Sequence, residues 1–149
     1  MGKVIERVKI TNLLDPTKSV KVEAVIDTGA TMIVLPQNIV RKLGLRRIRK
    51  VKVKYANNST ESKSIYGVVT LEIKGRTGNF DILAEVEGSQ PLIGQVALEV
   101  LDLVVDPRTR TLIPNPASPE MPMVEILMAT TYNSNLGKPL VLPVRLEKV

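Results

Sequence analysis

Apolar and polar residues alternate with a period of two through much of this chain. Val4, Val8 and Ile10 fall opposite Arg7 and Lys9, the pattern of a half-buried strand. Val20, Val22, Ala24 and Ile26 alternate with Lys21 and Glu23 in the same way. Asn12, Asp15, Pro16 and Thr17 form a turn signal between the two runs, which predicts a hairpin. The second strand runs directly into Asp27-Thr28-Gly29-Ala30. After the apolar run Met32 to Leu35, Pro36 suits the first turn of a short helix ending at Gly44.

Val51 to Tyr55 and Ile65 to Ile73 read as strands, and the polar segment Asn57-Asn58-Ser59-Thr60 between them reads as the tip of a longer hairpin. Gly75 to Gly78 is a turn and Asn79 to Val86 a further strand. Gln90-Pro91-Leu92-Ile93-Gly94 precedes a helix expected over Gln95 to Leu101. Leu103 to Val105 and Thr111 to Ile113, joined through Asp106-Pro107, complete the set, with the latter expected as the last strand. Many short strands, tight turns and one or two short helices predict an all-β fold, a small closed barrel.

From Pro114 the pattern breaks. Pro114, Pro116, Pro119 and Pro122 are spaced too closely for helix or central strand. Residues 1–116 are therefore expected to form one lobe. Residues 117–149 are expected to be an extension, disordered or carrying an added edge strand over Leu140 to Leu146.

Composition removes several kinds of chemistry. The 149 residues include no Cys and no His. Disulfides, thiolate zinc sites, cysteine nucleophiles and a Ser-His-Asp triad are excluded. Acid–base chemistry must run on carboxylates, Lys or Tyr, and neither a metal nor another cofactor is expected. The first ten residues carry no apolar run of the signal-peptide kind, and no stretch is long and apolar enough for a spanning helix. A cytoplasmic location without membrane contact is the expectation.

The net charge of +6 is local. Eight bases and no acid lie between Arg41 and Lys54, leaving 13 bases against 15 acids elsewhere. Such a run is ordinarily a solvated face, though it could meet an acidic partner. Tyr55, Tyr66 and Tyr132 are too dispersed to stack bases, so nucleic acid is not an expected partner. Glu23, Asp81, Glu85 and Asp102 are expected at solvated surface.

Asp27-Thr28-Gly29 stands where an apolar strand ends and the chain must turn. The strand holds the carboxylate, and Gly29 lets a backbone amide approach it. By itself the triplet is common, arising in about one chain in thirty of this length. Val25-Ile26-Asp27-Thr28-Gly29-Ala30, the hairpin tip thirty residues on and Leu92-Ile93-Gly94 before a helix together resemble the retroviral-type (retropepsin-like) aspartic proteases.

That resemblance covers about Val4 to Pro116 and implies one lobe of a two-fold homodimer acting as an endopeptidase on peptide or protein substrates. It implies that Asp27 is the catalytic carboxylate, that Thr28 and Gly29 brace the loop, and that Leu92, Ile93 and Gly94 support it from beneath. Ala30 would line the substrate groove, and Asn57, Asn58, Ser59 and Thr60 would form the flap tip. Family members often have an acid after the Ala30 position and Arg after the Gly94 position. Thr31 and Gln95 stand here instead, a neutral pair in place of a charged one. A non-catalytic peptide-binding module on the same fold is the alternative reading.

Overall fold

A computed structural model describes residues 2–126, 131–133, 137–140 and 143–149. Strands β1 (Val4–Asn12) and β2 (Ser19–Ile26) form the predicted hairpin, with Val8 opposite Val22 and Ile10 opposite Val20. They are followed by β3 (Ile33–Pro36), α1 (Gln37–Lys42), β4 (Arg46–Lys54), β5 (Thr60–Ile73) and β6 (Arg76–Glu85). Then come β7 (Leu92–Ile93), α2 (Gln95–Leu101), β8 (Leu103–Asp106) and β9 (Thr111–Pro114).

Seven strands hydrogen-bond in the order β1-β2-β7-β3-β6-β5-β4, and β1 also pairs with β5. The β1–β5 pairing closes six of them into a ring and leaves β4 outside it, on β5 alone. Ring closure removes the edges that an open sheet would expose. The interior is filled with Ile10, Leu35, Leu71, Ile82, Ile93 and other aliphatic side chains, all fully buried. Few aromatics are available, and β-branched residues suit this pleated interior.

Helix α1 ends where Gly44 takes φ 63°, with its amide donating to the Arg41 carbonyl at 2.9 Å. Buried Asn12 then donates from Nδ2 to the Leu43 carbonyl at 2.9 Å, tying the β1–β2 turn to the helix end. Pro36 lies one residue before the expected first helical turn, as the residue capping α1. Helix α2 matches its predicted span and buries Ala97, Leu98 and Leu101, spaced for one helical face.

Several expectations are corrected. Strand β4 starts at Arg46, five residues before the predicted Val51, because pairing with β5 fixes a segment with no alternating apolar face of its own. Thr111–Pro114 is not the last strand: β10 (Thr131–Asn133) and β11 (Lys138–Leu140) pair antiparallel. Of the strand expected over Leu140 to Leu146, Leu140 ends β11, residues 141–142 lie outside the described residues, and 143–149 are exposed without regular structure.

Asp102, expected at solvated surface, is another. It is no freely solvated carboxylate but the hub that fastens the start of the extension. It accepts hydrogen bonds from Ser118 Oγ, from Asn115 Nδ2 at 2.9 Å and from the Met123 amide at 3.0 Å. The Ser118 bond above all, then those from Met123 and Asn115, holds the Asp102 carboxyl below the usual carboxylate range. Buried Arg76 completes the fastening, donating to the carbonyls of Leu101 (3.1 Å), Asp102 (2.8 Å) and Ser118 (2.6 Å). Arg76→Ala is expected to cost about 2 kcal/mol in chemical denaturation, since it strips three buried or half-buried acceptors of a charged donor. A change under about 0.5 kcal/mol would show that water replaces the guanidinium freely.

Candidate active site

Asp27 follows the last residue of β2, and its environment is built from β7. β7 runs parallel to β2, with Val25 beside Leu92 and Ile26 beside Ile93, and it also meets β3 at Val34. The Val25 amide donates to the Pro91 carbonyl and the Asp27 amide to the Ile93 carbonyl, each at 2.9 Å. The strand register is thereby carried one residue past β2, so the Asp27 backbone is held at the point where the side chain leaves the sheet.

The loop then folds back on that carboxylate. The Gly29 amide donates to Asp27 Oδ1 at 2.9 Å and the Ala30 amide to the Asp27 carbonyl at 3.1 Å. Asp27 and Ala30 are half-buried, while Thr28 and Gly29 are exposed. One carboxylate oxygen is thus occupied by a backbone donor. Asp27 makes no described side-chain contact with a base.

Gly94 sits directly beneath. A Cβ there would stand 2.5 Å from the Met32 carbonyl oxygen and 2.7 Å from that of Ala30. Gln95 donates its amide to the Ala30 carbonyl at 2.7 Å, and Val96 donates to Thr31 at 3.2 Å. The first amides of α2 are therefore satisfied by the loop after Asp27. The backbone bonds join Gln95 to Ala30 and Val96 to Thr31, and the Gln95 side chain turns to Glu99 at 3.1 Å instead of to Thr31.

Leu92, Ile93 and Gly94 are thus gathered under Asp27, Thr28, Gly29 and Ala30. Asn57, Asn58, Ser59 and Thr60 occupy the tip of the β4–β5 hairpin and make no hydrogen bond to the Asp27 loop. The tip is a tight turn, with the Tyr55 amide donating to the Ser59 carbonyl at 2.9 Å. Asn58 takes the left-handed φ of 66° that glycine commonly supplies, and Asn57 Oδ1 accepts from the Ser59 amide at 3.0 Å.

The sequence reading missed a polar cluster just below the tip of this hairpin. Glu85, expected at solvated surface, accepts from the Tyr55 hydroxyl at 2.8 Å and pairs with Lys63 Nζ at 2.6 Å. Lys63 lies opposite Glu85 in the continuing β5–β6 register, and Glu61 adds a contact at 3.2 Å. Burial pushes the Glu85 carboxyl up, but the Lys63 and Tyr55 hydrogen bonds outweigh it and leave it below the usual range. The same contacts push Lys63 up, with the Glu85 hydrogen bond foremost. The signal available in sequence was the i, i+2 pair Glu61 and Lys63 on a strand. The Glu85 contact needed the register.

A depressed carboxyl contributes stability above its unfolded titration range, and that contribution is lost as pH falls through the folded value. Glu85→Gln is therefore expected to lose about 1 kcal/mol at pH 7 and to converge with the wild type in acid. Denaturation curves at several pH values test this. A pH-independent gap would place the loss in packing.

The family model described as "gag-polyprotein putative aspartyl protease" matches residues 17–100, which span Asp27, the hairpin tip and Gly94. The chain belongs to this retroviral-type aspartyl protease family. A solved structure titled EIAV protease complexed with the inhibitor HBY-793 is 21% identical, covering 66% of this chain and 86% of its own, with a TM-score of 0.49. No curated protein matches the chain. Here the Asp27 loop joins β2 to β3 and is held from the β7–α2 side by hydrogen bonds with Ile93, Gln95 and Val96.

Proposed function

We propose that this chain is an aspartic endopeptidase, active as a two-fold homodimer in which each copy contributes Asp27. The observation that carries the reading is the Asp27 loop itself. A half-buried carboxylate is fixed by the Gly29 amide and by β7, in a chain belonging to the retroviral-type family. One lobe supplies one such carboxylate, so the chemistry needs the second copy.

Two carboxylates about 3 Å apart do not both ionise, and the pair shares one proton. The ionised member takes a proton from water as it attacks the peptide carbonyl. The protonated member hydrogen-bonds the carbonyl oxygen, and a proton then passes to the leaving amine as the C–N bond breaks. Gly29 occupies Oδ1 of each carboxylate and so orients the pair. Thr28, exposed at the loop, is assigned to bracing across the two-fold axis, Ala30 to the groove wall, and Asn57 to Thr60 to closing over the peptide.

The test is incubation of wild-type protein and Asp27→Asn with a broad peptide library, alongside sedimentation of both. Cleavage by the wild-type dimer alone supports the proposal. A dimer that holds peptides without cutting them would support the binding-module alternative.

A further inference from the structure

The basic segment is left unused by the proposed chemistry, and the topology gives it a definite form. β4 pairs only with β5, and among the described residues no strand covers its other edge. The β4–β5 register shifts between Arg47 and Arg49: Arg47 lies opposite Tyr66, Arg49 opposite Ile65, and Ile48 between them is the extra residue. Opposed residues share a face of an antiparallel pair. Arg47 therefore joins Lys50, Lys52 and Lys54 on the face that carries Tyr66, Ser64, Ser62 and Thr60. Without the bulge, Arg47 would point to the opposite face from the three lysines.

All four bases are exposed, and none lies within 4.0 Å of a described carboxylate. Their β5 neighbours on this face are uncharged. The nearby Arg41 and Arg49 are engaged elsewhere, with Glu87 and Asp81. Lysine on an edge strand guards it against self-pairing. Four unpaired bases in register form a row, with the lysines repeating about every 6.7 Å.

We infer that the open edge of β4 is a docking strand for an extended peptide segment carrying Asp or Glu at alternate positions. Such a segment pairs its backbone with the free edge of β4, as in strand addition. Its side chains on one face then repeat at the same interval as Lys50, Lys52 and Lys54, placing each acid across from or diagonal to a base. Charge repulsion among the bases disfavours a second β4 on this edge. A nucleic acid fits less well, because it makes no use of the strand's amides and carbonyls and β4 carries no aromatic side chain for base stacking. Docking here needs neither the Asp27 dyad nor its product, so it stands apart from the protease reading.

The experiment uses full-length Asp27→Asn protein, which leaves a peptide probe uncut if the wild type is a protease. A blocked peptide alternating Glu and Thr is titrated by calorimetry and by amide NMR. Beside it are run an isomer with the same residues but all Glu in one block, an alternating Lys-Thr peptide, and a single-stranded oligonucleotide of equal charge. The alternating Glu peptide is expected to bind at least about tenfold more tightly than its block isomer, weakening with salt and newly protecting amides of β4. The triple change K50E, K52E and K54E, with unaltered circular dichroism, is expected to lose that binding and to gain the Lys-Thr peptide. Equal affinity for the block isomer, or tighter binding of the oligonucleotide, would reduce the row to an unspecific polyanion surface and overturn the inference. Absence of binding would leave β4 a guarded edge and overturn it equally.

Discussion

Asp27→Asn abolishes peptide cleavage, with an expected loss of at least about 10⁴-fold in kcat/KM. In the proposed dimer the single substitution removes both carboxyl groups, and with them the base that activates water and the acid that assists the carbonyl. Each function is ordinarily worth about 10²–10⁴ in rate. The variant separates chemistry from structure unusually well. The hydrogen bond that orders the loop runs from the Gly29 amide to Oδ1 at 2.9 Å, and the carbonyl oxygen of Asn accepts that bond equally. Folding, dimerisation and peptide binding should therefore survive. Wild-type cleavage should fall at both ends of the pH range, since acid removes the base and alkali removes the proton the pair shares, with midpoints belonging to the pair. A transition-state mimic whose hydroxyl replaces the attacking water should prefer the wild type. Turnover by Asp27→Asn at the wild-type rate would take the catalytic role away from Asp27.

Gly94→Ala has the largest expected effect on the fold, because its cost is steric and falls on backbone. Gly94 has φ −89°, which any residue adopts, so conformational freedom is not the issue. The added Cβ would meet the Met32 oxygen at 2.5 Å, the Ala30 oxygen at 2.7 Å and the Thr31 carbonyl carbon at 2.7 Å. No flexible side chain can move aside there. Either β7 and α2 back away from the loop, breaking the Gln95-to-Ala30 and Val96-to-Thr31 hydrogen bonds, or the loop itself shifts. The expected penalty is about 3 kcal/mol, the upper part of the range for overpacking a filled site. Because the displaced segment is continuous with Asp27, activity should fall further than stability accounts for. Equilibrium unfolding and cleavage at a temperature where the variant remains folded give the two readouts. Wild-type stability in the Gly94→Ala variant would mean that β7 is held less tightly against the loop than the contacts require.

The alternation of Val4 to Ile10 and Val20 to Ile26 was enough to place the first hairpin, because a strand buried on one face writes its period into the sequence. The α2 span was legible for the same reason, with Ala97, Leu98 and Leu101 at helical spacing. The turn at Asp27-Thr28-Gly29 was legible because local geometry, a strand end followed by glycine, accounts for the Gly29-to-Asp27 bond. Strand β4 began too early to be seen, since Arg46 to Lys50 is exposed and owes its conformation to β5. The roles of Glu85 and Asp102 were equally hidden. Their partners lie 22 to 30 positions away for Tyr55 and Lys63, and 13 to 21 positions away for Asn115, Ser118 and Met123. A carboxylate's sequence neighbours do not say whether a distant donor will reach it. The sequence by itself determined the aliphatic strand pattern, the chemistry available without His or Cys, and the loop that presents Asp27. Tertiary structure alone decided the closure of the ring, the seat of Gly94 under that loop, and the bulge that aligns Arg47 with three lysines. The first two depend on contacts between segments remote in sequence, and the third on a β4–β5 register that the exposed, largely polar residues of early β4 specify only weakly.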